Sequence, residues 1–126
     1  MLPAGAERLV VMVEDDAAMR TATERVLAVH RIPTTSFASA EAALADGRIA
    51  RADCLIVDIR LPGRSGLDLC RELARGGRLP PVIVVTGHDE PRYRDAAQRL
   101  GAIAYFVKPF SGRELADAVD NVLART

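Results

Sequence analysis

Five short apolar runs punctuate the chain, at residues 9–13, 34–37, 54–57, 81–85 and 103–107. Three of them are nearly continuous and rich in β-branched residues, the pattern of strands buried on both faces. The segments between have helical spacing. Ala18, Ala22, Val26 and Val29 predict an apolar stripe on a first helix, and Tyr93, Ala96, Ala97 and Leu100 one on a fourth. Leu115, Val119, Val122 and Leu123 predict the stripe of a fifth. Ser39 is placed to cap a short second helix through Ala40, Ala43 and Leu44, which Gly47 ends. A third helix carries Leu69, Cys70 and Leu73 and stops at Gly76-Gly77. Ser111 and Glu114 have the spacing of a capping box at the start of the last helix. A strand and a helix repeated five times predict a parallel α/β sheet covered on both faces, joined by right-handed crossovers.

A length of 126 residues suits one domain and leaves no room for a second core, so residues 1–126 are expected to form a single unit. Hydrophobic residues make up 49% and charged residues 27%, which excludes a disordered chain. Seventeen basic residues balance seventeen acidic ones, and a net charge of zero argues against nucleic-acid or membrane-surface binding. No apolar run reaches the roughly 18 residues of a membrane span. Residues 1–8 lack the basic start and apolar core of a signal peptide, so a cytoplasmic protein is expected. Cys54 and Cys70 form no Cys-x-x-Cys pair and read as reduced thiols. Sixteen of the basic residues are Arg, and Lys108 is the only Lys. Codon usage in a GC-rich genome accounts for the Arg excess but not for the position of the one lysine.

Ligands of open parallel sheets bind outside the carboxyl ends of the strands. The first strand ends in Glu14-Asp15-Asp16, the third in Asp58, the fourth in Thr86 and the fifth in Lys108. Each alone has an ordinary explanation: acids at a helix N-terminus, an acidic turn, a turn hydroxyl, a loop dipeptide. Together they bring carboxylates, a hydroxyl and one ammonium to a single sheet edge. Clustered carboxylates share a proton or hold a cation, and hard oxygen ligands suit Mg²⁺. Mg²⁺ and Lys108 would neutralise a phosphoryl group arriving at one carboxylate, with Thr86 bonding one of its oxygens.

These residues resemble the receiver domain of two-component response regulators, over nearly the whole chain. The resemblance rests on Val13-Glu14-Asp15-Asp16, on the stretch from Val57-Asp58 to Gly66, on Val85-Thr86-Gly87 and on Tyr105-Phe106-Val107-Lys108-Pro109-Phe110. Phe37-Ala38-Ser39-Ala40-Glu41-Ala42 and the loop after Asp58 look most like the FixJ-type subgroup, whose members usually carry a C-terminal helix-turn-helix output domain.

The resemblance implies a doubly wound, flavodoxin-like receiver fold, with five parallel strands in the order 2-1-3-4-5 and five helices. It implies Asp58 as acceptor of a phosphoryl group from a sensor histidine kinase or phosphotransfer protein. Asp15, Glu14, Asp58 and the backbone carbonyl of Arg60 would hold Mg²⁺. Lys108 would pair with Asp58 and then with the phosphoryl group, Pro109 allowing a cis peptide. Thr86 would move toward the phosphoryl group and Tyr105 would swing inward behind it. The face of the fourth helix, fifth strand and fifth helix would carry the output and the homodimer. Glu14 stands where Asp is commoner, and Gly87 where Ala is usual. Asp16 is read as a helix cap and His88 as a loop residue.

The alternatives are a stand-alone receiver acting through protein contacts, a dehalogenase-type phosphatase and a flavodoxin-like FMN binder. The phosphatase pattern Asp-x-Asp-x-Thr is absent after the first strand, and an FMN phosphate loop would not be acidic. No separate substrate turnover is expected.

Overall fold

The computed structural model describes residues 8–125; residues 1–7 and Thr126, including most of the segment read for a signal peptide, lie outside them. The strands are β1 (Val10–Val13), β2 (Thr34–Phe37), β3 (Cys54–Asp58), β4 (Val82–Thr86) and β5 (Ala104–Val107). The helices are α1 (Ala17–Val29), α2 (Ala40–Asp46), α3 (Gly66–Arg75), α4 (Pro91–Arg99) and α5 (Gly112–Ala124), with a 3-10 turn at Arg48–Arg51 that the sequence pattern did not predict. All strands are parallel and lie in the order β2-β1-β3-β4-β5. The expected doubly wound architecture is present.

The two-residue period of the strands sorts the core into two layers. Val11, Val13, Leu55, Val57, Val82 and Val84 pack with Ala40 and Ala43 of α2, Leu69 and Leu73 of α3 and Ala97 of α4. Val10, Met12, Cys54, Ile56, Ile83 and Val85 pack on the other side with Leu27 of α1 and Leu115, Val119 and Val122 of α5. β1, β3 and β4 are buried throughout, whereas β2 and β5 at the sheet edges are half-buried. Both cysteines are buried free thiols, and burial pushes each up to about 12, which keeps them protonated and unreactive.

The helix ends follow the expected chemistry. Asp16, Ser39, Ser65 and Ser111 each accept a bond from the backbone N–H three residues on, and Gly47 ends α2 in the left-handed conformation. The stripe predicted for α1 is only partly present: Val26 is half-buried against Gly112 of α5. Ala18, Ala22 and Val29 are exposed, Val29 at 79%, and the buried face runs through Thr23 and Leu27. Leu27 is the largest aliphatic residue of the helix and buries the most apolar area, so it sets the face; alanine is tolerated on either side.

Candidate functional site

Strand alternation also decides which polar residues meet. Asp58 follows Cys54 and Ile56 onto the α1/α5 side, and Glu14 and Lys108 continue the same alternation from Met12 and Phe106. Thr86 follows Val82 and Val84 onto the α3/α4 side, the side against which Tyr105 packs. Register then levels the ends: Val13 pairs with Val57, Asp58 with Val85, and Thr86 with Val107.

On the first side, Lys108 Nζ donates to Glu14 Oε1 at 2.5 Å and to Asp58 Oδ2 at 2.6 Å. Glu14 and Asp58 are buried, and the Lys108 side chain is 18% exposed. Asp15 is exposed at the rim, yet one carboxylate oxygen from each of Glu14, Asp15 and Asp58 lies within 4.8 Å of the others. Burial pushes the Glu14 carboxyl above its ordinary value against the pull of Lys108, and neighbouring Asp58 adds to the rise. Burial works against the charge on Lys108 too, but its bonds to Asp58 and Glu14 prevail and hold the ammonium above its ordinary value. Three carboxylates against one ammonium make a hard-oxygen, net negative recess with one open side, which fits a small divalent cation that keeps part of its water shell.

The loops hold the end of β3 in place. Arg60 N donates to Asp58 Oδ1 at 3.1 Å, while the Arg60 guanidinium lies 3.9 Å from Glu90 at the surface. A Cβ on Gly66 would stand 2.1 Å from the Asp58 carbonyl oxygen and 2.8 Å from Val57 Cγ2. Only glycine lets α3 begin this close to β3. The Lys108–Pro109 peptide is cis, as anticipated.

Thr86 and Tyr105 do not join the cluster. The fully buried Thr86 hydroxyl accepts from His88 N at 3.0 Å and donates to His88 O at 3.1 Å. Tyr105 donates its hydroxyl to Asp89 Oδ1 at 3.2 Å. Asp16 caps α1 rather than entering the cluster, as the sequence suggested.

Several contributors escaped the sequence reading. Arg20 donates to the backbone carbonyls of Glu14 at 2.8 Å and Asp15 at 3.4 Å, fixing the acidic loop from below. A cation in the first turn of a helix opposes the macrodipole, and that misfit was the available signal. Glu41 accepts from Arg64 N at 3.1 Å and so ties the loop after β3 to α2. Asp89 and Arg94 enclose Tyr105: Arg94 donates to both Asp89 oxygens at 2.8 and 2.9 Å and lies 4.6 Å over the Tyr105 ring.

Residues 10–120 match the response regulator receiver domain, and the chain belongs to that family. It is 37% identical over 116 residues to nodulation protein W of Bradyrhizobium diazoefficiens, covering 92% of this chain and 51% of that protein. It is 35% identical over 115 residues to the transcriptional regulatory protein FixJ of Azorhizobium caulinodans, covering 91% and 54%. The chain thus spans about half the length of these curated relatives. Among solved structures, a receiver protein from Pseudoalteromonas atlantica superposes with a TM-score of 0.86 at 24% identity, covering 93% of this chain and 98% of that one. A CheY-like receiver domain protein from Methanospirillum hungatei gives 0.84 at 24%, covering 95% and 96%. These two likenesses concern the fold. The family is a signalling one, and the phosphatase alternative is not favoured.

Proposed function

We propose that residues 1–126 act as the phosphoacceptor domain of a two-component pathway, taking a phosphoryl group from a phosphohistidine of a sensor kinase or phosphotransfer protein onto Asp58. The observation that carries this reading is the Lys108 ammonium bonded at once to Glu14 and Asp58 beside Asp15. A carboxylate oxygen of Asp58 attacks phosphorus. The new O–P bond forms as the N–P bond of the donor breaks, and the imidazole leaves with the electron pair and takes a proton from water. Lys108, already seated on Oδ2, follows the developing charge onto a phosphoryl oxygen. Glu14, Asp15, Asp58 and the Arg60 carbonyl would hold Mg²⁺, which when bound supplies positive charge beside the transferred group.

Thr86 exchanges its bonds to His88 for a phosphoryl oxygen, and Tyr105 leaves Asp89 to follow it. The face of α4, β5 and α5 then carries the output and pairs with a second copy. The names of the relatives support control of transcription through an attached or partner output module, with the receiver itself touching no nucleic acid. Among the described residues no helix is long and apolar enough to cross a membrane, which fits a cytoplasmic signalling domain. The receiver turns over no substrate beyond its own phosphorylation and dephosphorylation.

Labelled acetyl phosphate with Mg²⁺ tests the acceptor. Label is expected on wild type and absent from Asp58→Asn; undiminished labelling of Asp58→Asn refutes the assignment.

A further inference from the structure

The segment 87–89 touches both residues that stand apart from the acidic cluster. Its His88 backbone holds the Thr86 hydroxyl through two bonds, and its Asp89 side chain holds the Tyr105 hydroxyl. Arg94 completes the arrangement from α4, gripping both oxygens of Asp89 while its guanidinium lies over the Tyr105 ring. Three elements therefore meet at one phenol: the loop after β4, helix α4 and strand β5. A bidentate guanidinium–carboxylate pair is geometrically selective, and the face of an aromatic ring attracts the same cation. Tyr105 cannot rotate away without giving up the Asp89 bond and the Arg94 stacking together.

We propose that Asp89 and Arg94 are positioning residues that clamp Tyr105, and with it the loop bonded to Thr86, in the resting arrangement. The inference rests on the phosphoacceptor reading, because the clamp opposes the rearrangement that phosphorylation of Asp58 drives. It assigns a role to two side chains that never touch the acceptor. Since ligands shift a two-state equilibrium only by what they gain between the states, weakening the resting state raises the fraction already competent for phosphorylation.

The groups facing the Tyr105 phenol are Asp89 from the loop and Arg94 and Tyr93 from α4. Burial raises its pKa first, and the Asp89 charge and hydrogen bond raise it further. The chain has two tyrosines and no tryptophan, so in a Tyr93→Phe background the ultraviolet titration of phenolate reports Tyr105 alone.

The test uses Asp89→Asn and Arg94→Ala, each checked for native circular dichroism. In the Tyr93→Phe background, Asp89→Asn is expected to lower the titration midpoint of Tyr105. With Tyr93 intact, both substitutions are expected to speed acetyl phosphate labelling of Asp58 roughly two- to fivefold, the scale of an exposed ion pair. Combined with Tyr105→Phe, Asp89→Asn is expected to accelerate labelling clearly less, because only the Arg94 stacking is then left to loosen. Unchanged or slower labelling overturns the clamp, and so does an Asp89→Asn acceleration that persists in full without the Tyr105 hydroxyl. If wild type itself takes no label on Asp58, the phosphoacceptor reading fails, and the clamp falls with it. Normal wild-type labelling with unresponsive Asp89 and Arg94 variants rejects the clamp alone.

Discussion

Glu14, Asp58 and Lys108 stand on the α1/α5 side of the sheet's carboxyl edge, and Thr86 and Tyr105 on the α3/α4 side, near Asp89 and Arg94. Each side brings together acid and cation, yet they differ in access to water. Glu14 and Asp58 are buried, whereas Asp89 is exposed and its partner Arg94 is 55% exposed. Removing water strengthens every interaction in the first group and makes any loss of a partner costly. In the second group Thr86 is fully buried, but the Asp89–Arg94 pair is screened, so its contacts form and break at small cost. A site that must hold multiple charges needs the former. An element that must move on a small signal needs the latter.

The contrast is broken most forcefully at Lys108. Lys108→Met leaves Glu14 and Asp58 as close buried acids without their cation, and urea unfolding should show a loss of about 3–5 kcal/mol. Labelling by acetyl phosphate should fall about a hundredfold with the lost donor. A stable, normally labelled variant would contradict the placement of this side chain. A smaller effect follows from the net negative charge of the recess. At fivefold excess over its dissociation constant, Mg²⁺ should stabilise wild type by about 1 kcal/mol by mass action, read as a rise in Tm. Asp15→Asn should blunt that rise, and an equal response would remove Asp15 from the cation site.

The smallest effect sharpens the exposed side. The Arg94 bonds hold the Asp89 carboxyl below its ordinary 3.8. The folded state therefore keeps this charge when the unfolded chain has gained a proton. The contribution is present above 3.8 and fades as the pH falls through the lowered value. The difference in urea midpoint between wild type and Asp89→Asn should shrink over that acidic range. A difference independent of pH would show that the Asp89 contact is not ionic.

Most of the fold was legible because β1, β3 and β4 are continuous apolar runs and because Ser39, Ser111 and Gly47 punctuate the helices. Helix α1 misled where its face depended on alanines, which carry little preference, while the buried Thr23 gave no apolar signal. The acidic cluster was legible because each member closes a strand, so one sheet aligns them all. Arg20, Glu41, Asp89 and Arg94 were not, because their contacts depend on how loops fold back after the strands end. The same alternation that placed Asp58 also turned Thr86 to the other side, a consequence that follows from counting residues along β4.

Lys108 is the chain's sole lysine, and its side chain is mostly shut away. An acylating reagent therefore has one amine side chain to find, and that amine reacts only when it parts from Glu14 and Asp58 and sheds its proton. Mass spectrometry of the adduct on the Lys108 peptide over time turns the residue into a clock for how often that ion pair parts, read without any engineered dye.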